Sequence, residues 1–174
     1  MIDPYIKKKI LLNIKDLNIE SPYFIFLPEV LEKNIKDLKK ATNKYFKKYR
    51  LYYSVKTNYL PEIIKLAIKN DIIPEVISGF ELELIKKIKM PKTMIQNVIV
   101  NGPVKSKKEL KHSIIKGYTI HIDSVDELML IKKITEKNNL QCKIAIRISN
   151  DSKNSKNWTK FGILEKDLEK CMLN

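Results

Sequence analysis

Arginine is almost missing from this 174-residue chain: Arg50 and Arg147 stand against 32 lysines. Alanine (three) and glycine (four) are also scarce, while isoleucine (27) and asparagine (14) abound. Lys, Ile and Asn have AT-rich codons, so an AT-rich genome explains both this bias and the formal net charge of +14. The lysines are scattered along polar helix faces. Arginine, which normally dominates base and phosphate readout, is nearly absent, and both facts speak against nucleic acid as a partner. Two cysteines, Cys142 and Cys171, with no CxxC give neither a disulfide framework nor a zinc site, and fit a reducing, cytoplasmic setting. No apolar run is long enough for a membrane span. The stretch MIDPYIKKKILLNIKDL carries an apolar patch, but Asn13 and Lys15 break it and no small-residue cleavage site follows, so it is not a secretory signal. There is no P-loop, no HExxH and no Ser/His/Asp pattern.

What is present is a core and a rhythm. Apolar residues make up 44% of a chain of one domain's length. Five short apolar runs read as buried parallel strands: Leu51–Val55, Pro74–Ser78, Val98–Gly102, Thr119–Asp123 and Lys143–Ser149. Their starts are 23, 24, 21 and 24 residues apart, room for one helix and two loops each time. Ser78-Gly-Phe-Glu81, Ser106-Lys-Lys-Glu109 and Ser124-Val-Asp-Glu127 are Ser-x-x-Glu capping boxes, each just after a strand. Gly117 sits where a helix C-terminus needs a left-handed residue.

A regular strand–helix repeat makes a parallel sheet, either doubly wound or a (β/α) barrel. Even units and the lack of any GxGxxG after a strand favour the barrel. Before the repeat, Tyr23–Leu27 reads as another strand and Pro28–Tyr49 as a long amphipathic helix. After it come a polar stretch, Asn150–Lys160, then Phe161-Gly162-Ile163 and a final helical piece. A closed barrel takes eight units, and five are visible here. The expectation is therefore an α/β fold, a partial (β/α)8 TIM barrel of about five units whose fifth strand is an unpaired edge.

In such barrels chemistry sits at the C-terminal strand ends. Those ends offer Lys56, Thr57 and Asn58; Glu75 to Gly79; Asn101 and Gly102; His121 and Asp123; and Arg147. Lys56 ends a buried apolar strand, where desolvation would make its amine a usable nucleophile. Arg147, inside the apolar run Ile144–Ile148, is either a planar bidentate donor or half of a structural ion pair. Glu75 faces either the barrel interior or the helix layer. Asp123, Asp126 and Glu127 are explained by helix capping and not by a metal. His112 is a surface helix residue; His121 is either a site residue or, the commoner case, a satisfied strand histidine.

An ordered set of motifs resembles the N-terminal part of the fold-type III pyridoxal-phosphate-dependent decarboxylases, the group of diaminopimelate and ornithine decarboxylases with an alanine-racemase-like barrel. These are Ser21–Phe26, Tyr53-Ser-Val-Lys-Thr-Asn58, Glu75-Val-Ile-Ser-Gly-Phe-Glu-Leu82, Asn101-Gly-Pro-Val-Lys-Ser106, Ile122-Asp-Ser124, Ile146-Arg-Ile148 and Thr159-Lys-Phe-Gly-Ile163. The SGxELEL and NGPxKS forms are closer to the diaminopimelate branch.

The resemblance implies that Lys56 carries pyridoxal phosphate, that Arg147 lies near its ring, and that Glu75 stands where the family usually has Asp. Ser54 and Thr57 replace the family's usual Ala. It also implies a domain split: residues 1–27 with a strand belonging to a β-domain outside the chain, and residues 28–174 as a truncated barrel. The expected function is a diaminopimelate decarboxylase-like enzyme in truncated or split form, acting on a small amino acid. It would be completed as a homodimer or by a complementary C-terminal chain. A non-catalytic pyridoxal-phosphate carrier is the alternative, followed by a basic nucleic-acid binder.

Overall fold

In the computed structural model, residues 4–15, 20, 22–149 and 161–169 are described. Two helices lead: α1 (Pro4–Lys15) and α2 (Pro28–Tyr45). Proline opens both α2 and α3 (Pro61–Lys69), where its missing N–H costs nothing and its fixed φ suits a first turn. The repeat then runs β1 (Tyr52–Ser54), α3, β2 (Ile73–Val76), α4 (Gly79–Lys86), α5 (Lys92–Ile95), β3 (Ile99–Val100), α6 (Lys107–Lys116), β4 (Thr119–Ile122), α7 (Val125–Asn138) and β5 (Lys143–Ile146). All pairings in this sheet are parallel, in the order β1-β2-β3-β4-β5. A doubly wound sheet reverses its strand order at a switch point. This one never does, so the barrel reading holds and the architecture is a partial (β/α) barrel.

Strand alternation divides the sheet into two faces. Val76, Val98, Val100, Ile120 and Ile122 are almost fully buried. They pack against Ile64 and Ile68 of α3, Leu82 and Ile85 of α4, Leu110 and Ile114 of α6, and Leu128 and Ile131 of α7. Each such aliphatic side chain gains about 1.5–3 kcal/mol by leaving water. The alternate residues, Ser54, Glu75, Ile99, Thr119, His121 and Ala145, are half-buried and share the other face by register. That face is the wall of the barrel lumen, and it is open and largely polar.

Two segments outside the five-stranded repeat bear on the sequence expectations. Tyr23–Leu27 is extended but belongs to no sheet among the described residues. Its apolar side chains promise burial, yet Phe24 is fully exposed. A strand exists only where a neighbour accepts and donates along its edge, and the described neighbours are helices.

The fifth strand, conversely, is not wholly unpaired. After a break at Arg147 it resumes as β6 (Ile148–Ser149), which pairs in parallel with β7 (Ile163–Leu164). A sixth unit thus begins where the sequence showed only Phe161-Gly-Ile. The final helical piece starts as a short 3-10 turn, Glu165–Asp167. The polar stretch 150–160 lies outside the described residues.

Candidate functional site

The rim is built by strand ends and by the caps that follow them. Ser78, Ser106 and Ser124 each accept the backbone N–H of the Glu three residues on. Only Glu109 closes the box on its own cap residue. Glu81 and Glu127 reach one residue further back, accepting from Ile77 N–H at 2.9 Å and Asp123 N–H at 3.1 Å. Both carboxylates therefore tie the residue just past a strand to the helix that follows.

Lys56 follows β1 in a 3-10 turn, Val55–Thr57. Val55 is fully buried on the helix side. The loop is knitted locally by Thr57 Oγ1 donating to Ser54 O (2.7 Å), Tyr53 Oη donating to Asn58 O (2.7 Å) and Leu60 N–H donating to Asn58 Oδ1 (3.0 Å). Lys56 itself is exposed. The sequence predicts an amine in a desolvating mouth. The described residues form only one side of that mouth, so nothing opposite covers it.

Glu75 falls on the lumen face as the direct register partner of Ser54 on β1. Its Oε1 accepts from Asn101 Nδ2 at 2.8 Å, across to the end of β3. His121 lies on the same face of β4. Burial lowers its pKa first; Glu75 opposes that shift and Lys105 adds to it.

Arg147 lies between β5 and β6. Its Nη1 donates to Asp123 Oδ1 at 3.0 Å, and its guanidinium stacks 4.8 Å from the Phe161 ring. The side chain keeps 43% of its surface exposed, so the ion pair leaves part of the fork free. Asp123 Oδ2 accepts from Gly162 N–H at 3.2 Å.

Lys56, Glu75 and Arg147 are thus all on the lumen side or rim, although Glu75 and Arg147 are bonded to Asn101 and Asp123 and not to each other or to Lys56. Three participants carry little signal in the sequence. Asn101 is there only a strand end. Lys105 is one lysine among 32, and only its place in NGPVKS marks it out. Glu127 reads there as a cap alone. His112, expected at the surface, is half-buried against Tyr118, and its Nε2 has no hydrogen-bond partner among the described residues. Among the described residues no three His, Cys, Asp or Glu side chains gather as for a metal, and no helix is long and apolar enough to cross a membrane.

Residues 32–173 match the family model described as "Pyridoxal-dependent decarboxylase, pyridoxal binding domain". The chain is 30% identical over 144 residues to the L-glutamyl-(BtrI acyl-carrier protein) decarboxylase of Niallia circulans, covering 82% of this chain and 32% of that protein. It is 30% identical over 131 residues to the diaminopimelate decarboxylase of Archaeoglobus fulgidus, covering 75% of this chain and 30% of that one. The fold superposes with a TM-score of 0.72 on the diaminopimelate decarboxylase of Helicobacter pylori complexed with L-lysine, at 19% identity, over 95% of this chain and 42% of that one. The chain spans about a third of the length of the curated relatives it matches.

Proposed function

This chain belongs to the pyridoxal-dependent decarboxylase family, and from that premise we propose that it is the lysine-bearing part of a pyridoxal-phosphate-dependent amino-acid decarboxylase of the diaminopimelate type. The observation that carries the proposal is the placement of Lys56. It sits in the turn after the first barrel strand, exposed and without a hydrogen bond or ion pair among the described residues, above the lumen face that holds Glu75 and at the same end of the sheet as Arg147. A primary amine free to react, beside an open polar lumen, fits an aldehyde cofactor that also carries an anionic group.

Lys56 would hold the cofactor covalently and exchange a proton at Nζ. Arg147, with its fork half-engaged by Asp123, keeps N–H groups available to an anionic or ring acceptor. Glu75, steadied by Asn101, sets a fixed carboxylate one layer below Lys56. When bound, pyridoxal phosphate supplies the electron sink for the charge left behind as CO₂ departs. The substrate would be a small amino acid, in a cytoplasmic setting. The rest of the barrel and a β-domain, to which residues 1–27 would contribute a strand, would close the pocket in a homodimer or with a complementary chain.

Pyridoxal phosphate added to the 174-residue chain is expected to raise a visible absorbance band that Lys56→Ala abolishes. A band of equal strength in Lys56→Ala would overturn the proposal.

A further inference from the structure

Below the rim, between the ends of β3 and β4, lies a buried ion pair that none of the chemistry above uses. Lys105 and Glu127 keep only 3% and 7% of their side-chain surface exposed. The Lys105 ammonium donates to Gly102 O at 2.6 Å, to His121 O at 2.7 Å, and to both Glu127 carboxylate oxygens at 2.9 Å. Its donors are fully used. Glu127 in turn accepts the Asp123 N–H. The backbone from 121 to 123 is therefore gripped at both ends by one ion pair, through the carbonyl of His121 and the amide of Asp123.

The consequence runs outward. Asp123 sends one carboxylate oxygen to Arg147 Nη1 and the other to Gly162 N–H. The Arg147 backbone is itself wedged between strands, its N–H donating to Ile122 O (2.9 Å) and its carbonyl accepting from Ile163 N–H (2.8 Å). What the backbone leaves open is the direction of the guanidinium; the Phe161 ring lies 4.8 Å from it, and Asp123 supplies its charge-assisted hydrogen bond.

We propose that the Lys105–Glu127 ion pair is a positioning device that fixes the Arg147 guanidinium through Asp123. A buried ion pair is seldom the most stable way to fill a core. Two apolar side chains would fill this space without holding a carbonyl and an amide two residues apart. The consequence for the cofactor rests on the function proposed above; the consequence for Arg147 stands on the geometry alone.

The test uses the cofactor-free 174-residue chain labelled with nitrogen-15. With two arginines, the guanidinium signals are separable by inspection. In the unaltered chain Arg147 should show resolved Nη signals, because the carboxylate hinders rotation, while exposed Arg50 shows averaged ones. Averaged signals for both would overturn the proposal at once.

Lys105→Met leaves a buried carboxylate unpaired and is expected to unfold partly. The double variant Lys105→Met/Glu127→Leu removes both charges and is expected to fold. In it, Arg147 guanidinium rotation should quicken by about tenfold or more, the loss of one charge-assisted hydrogen bond. Asp123→Asn should do the same. A folded double variant with Arg147 unchanged would refute the positioning role. If the unaltered chain does not bind pyridoxal phosphate, the function proposed above fails, while the arginine signals still decide this inference.

Discussion

His112 and His121 are the chain's only histidines, and burial is the leading reason that both titrate below 6.5. Lys86 and Lys116 push His112 further down against Glu83; Lys105 pushes His121 down against Glu75. In the folded chain both imidazoles resist the proton that the unfolded chain accepts near 6.5. Their stability contribution is therefore complete above that pH and is lost as pH falls toward the lowered folded values. Thermal melts should show Tm falling between about pH 7 and pH 5, with a shallower fall in His121→Gln and His112→Gln. A slope unchanged by both substitutions would contradict this. Asn101→Ala removes the donor that holds the Glu75 carboxylate and should cost about 1–2 kcal/mol in urea denaturation.

Single residues were unevenly legible. Lys56 and Arg147 stood out because each ends or interrupts an apolar strand. Lys105 did not, because a lysine's burial leaves no mark in a sequence where lysine is everywhere. The Glu75 alternatives needed a register, and only the Ser54 pairing supplied it.

At the scale of elements, the strands are readable because their helix-facing residues are aliphatic and buried and recur at even spacing, and α4, α6 and α7 because Ser-x-x-Glu announces their starts. Ser124→Ala should cost about 1 kcal/mol by freeing the Glu127 N–H. Gly102 shows a constraint that no propensity reveals. A Cβ there would strike the Ile77 carbonyl oxygen, which is backbone and cannot swing aside. Gly102→Ala should destabilise the chain by about 1–3 kcal/mol and separate the ends of β2 and β3; a Tm within a degree or so of the parent would contradict that. Tyr23–Leu27, extended but unpaired among the described residues, and β7, which no apolar run announces, share one cause. Apolar runs report burial and propensity, whereas pairing depends on a partner elsewhere. Two residues of β7 suffice because Arg147 O meets Ile163 N–H.

Across the whole molecule, the described residues form one wall of a barrel. The helix side is packed, the lumen side is half-open, and Ile144 and Ile148 are exposed at the far edge. An apolar strand edge of this kind invites a neighbour. On the proposed function, residues 1–174 alone should release no CO₂ from diaminopimelate at a rate typical of a decarboxylase; such release would show that the remaining wall is dispensable.

The central claim is that one amine among 32 lysines is the reactive one. It is tested most directly by reducing the chain with borohydride in the presence of equimolar pyridoxal phosphate and mapping the pyridoxyl mass by peptide sequencing. The label should fall on Lys56. A label spread evenly over surface lysines, or concentrated at a lysine away from the rim, would contradict the account.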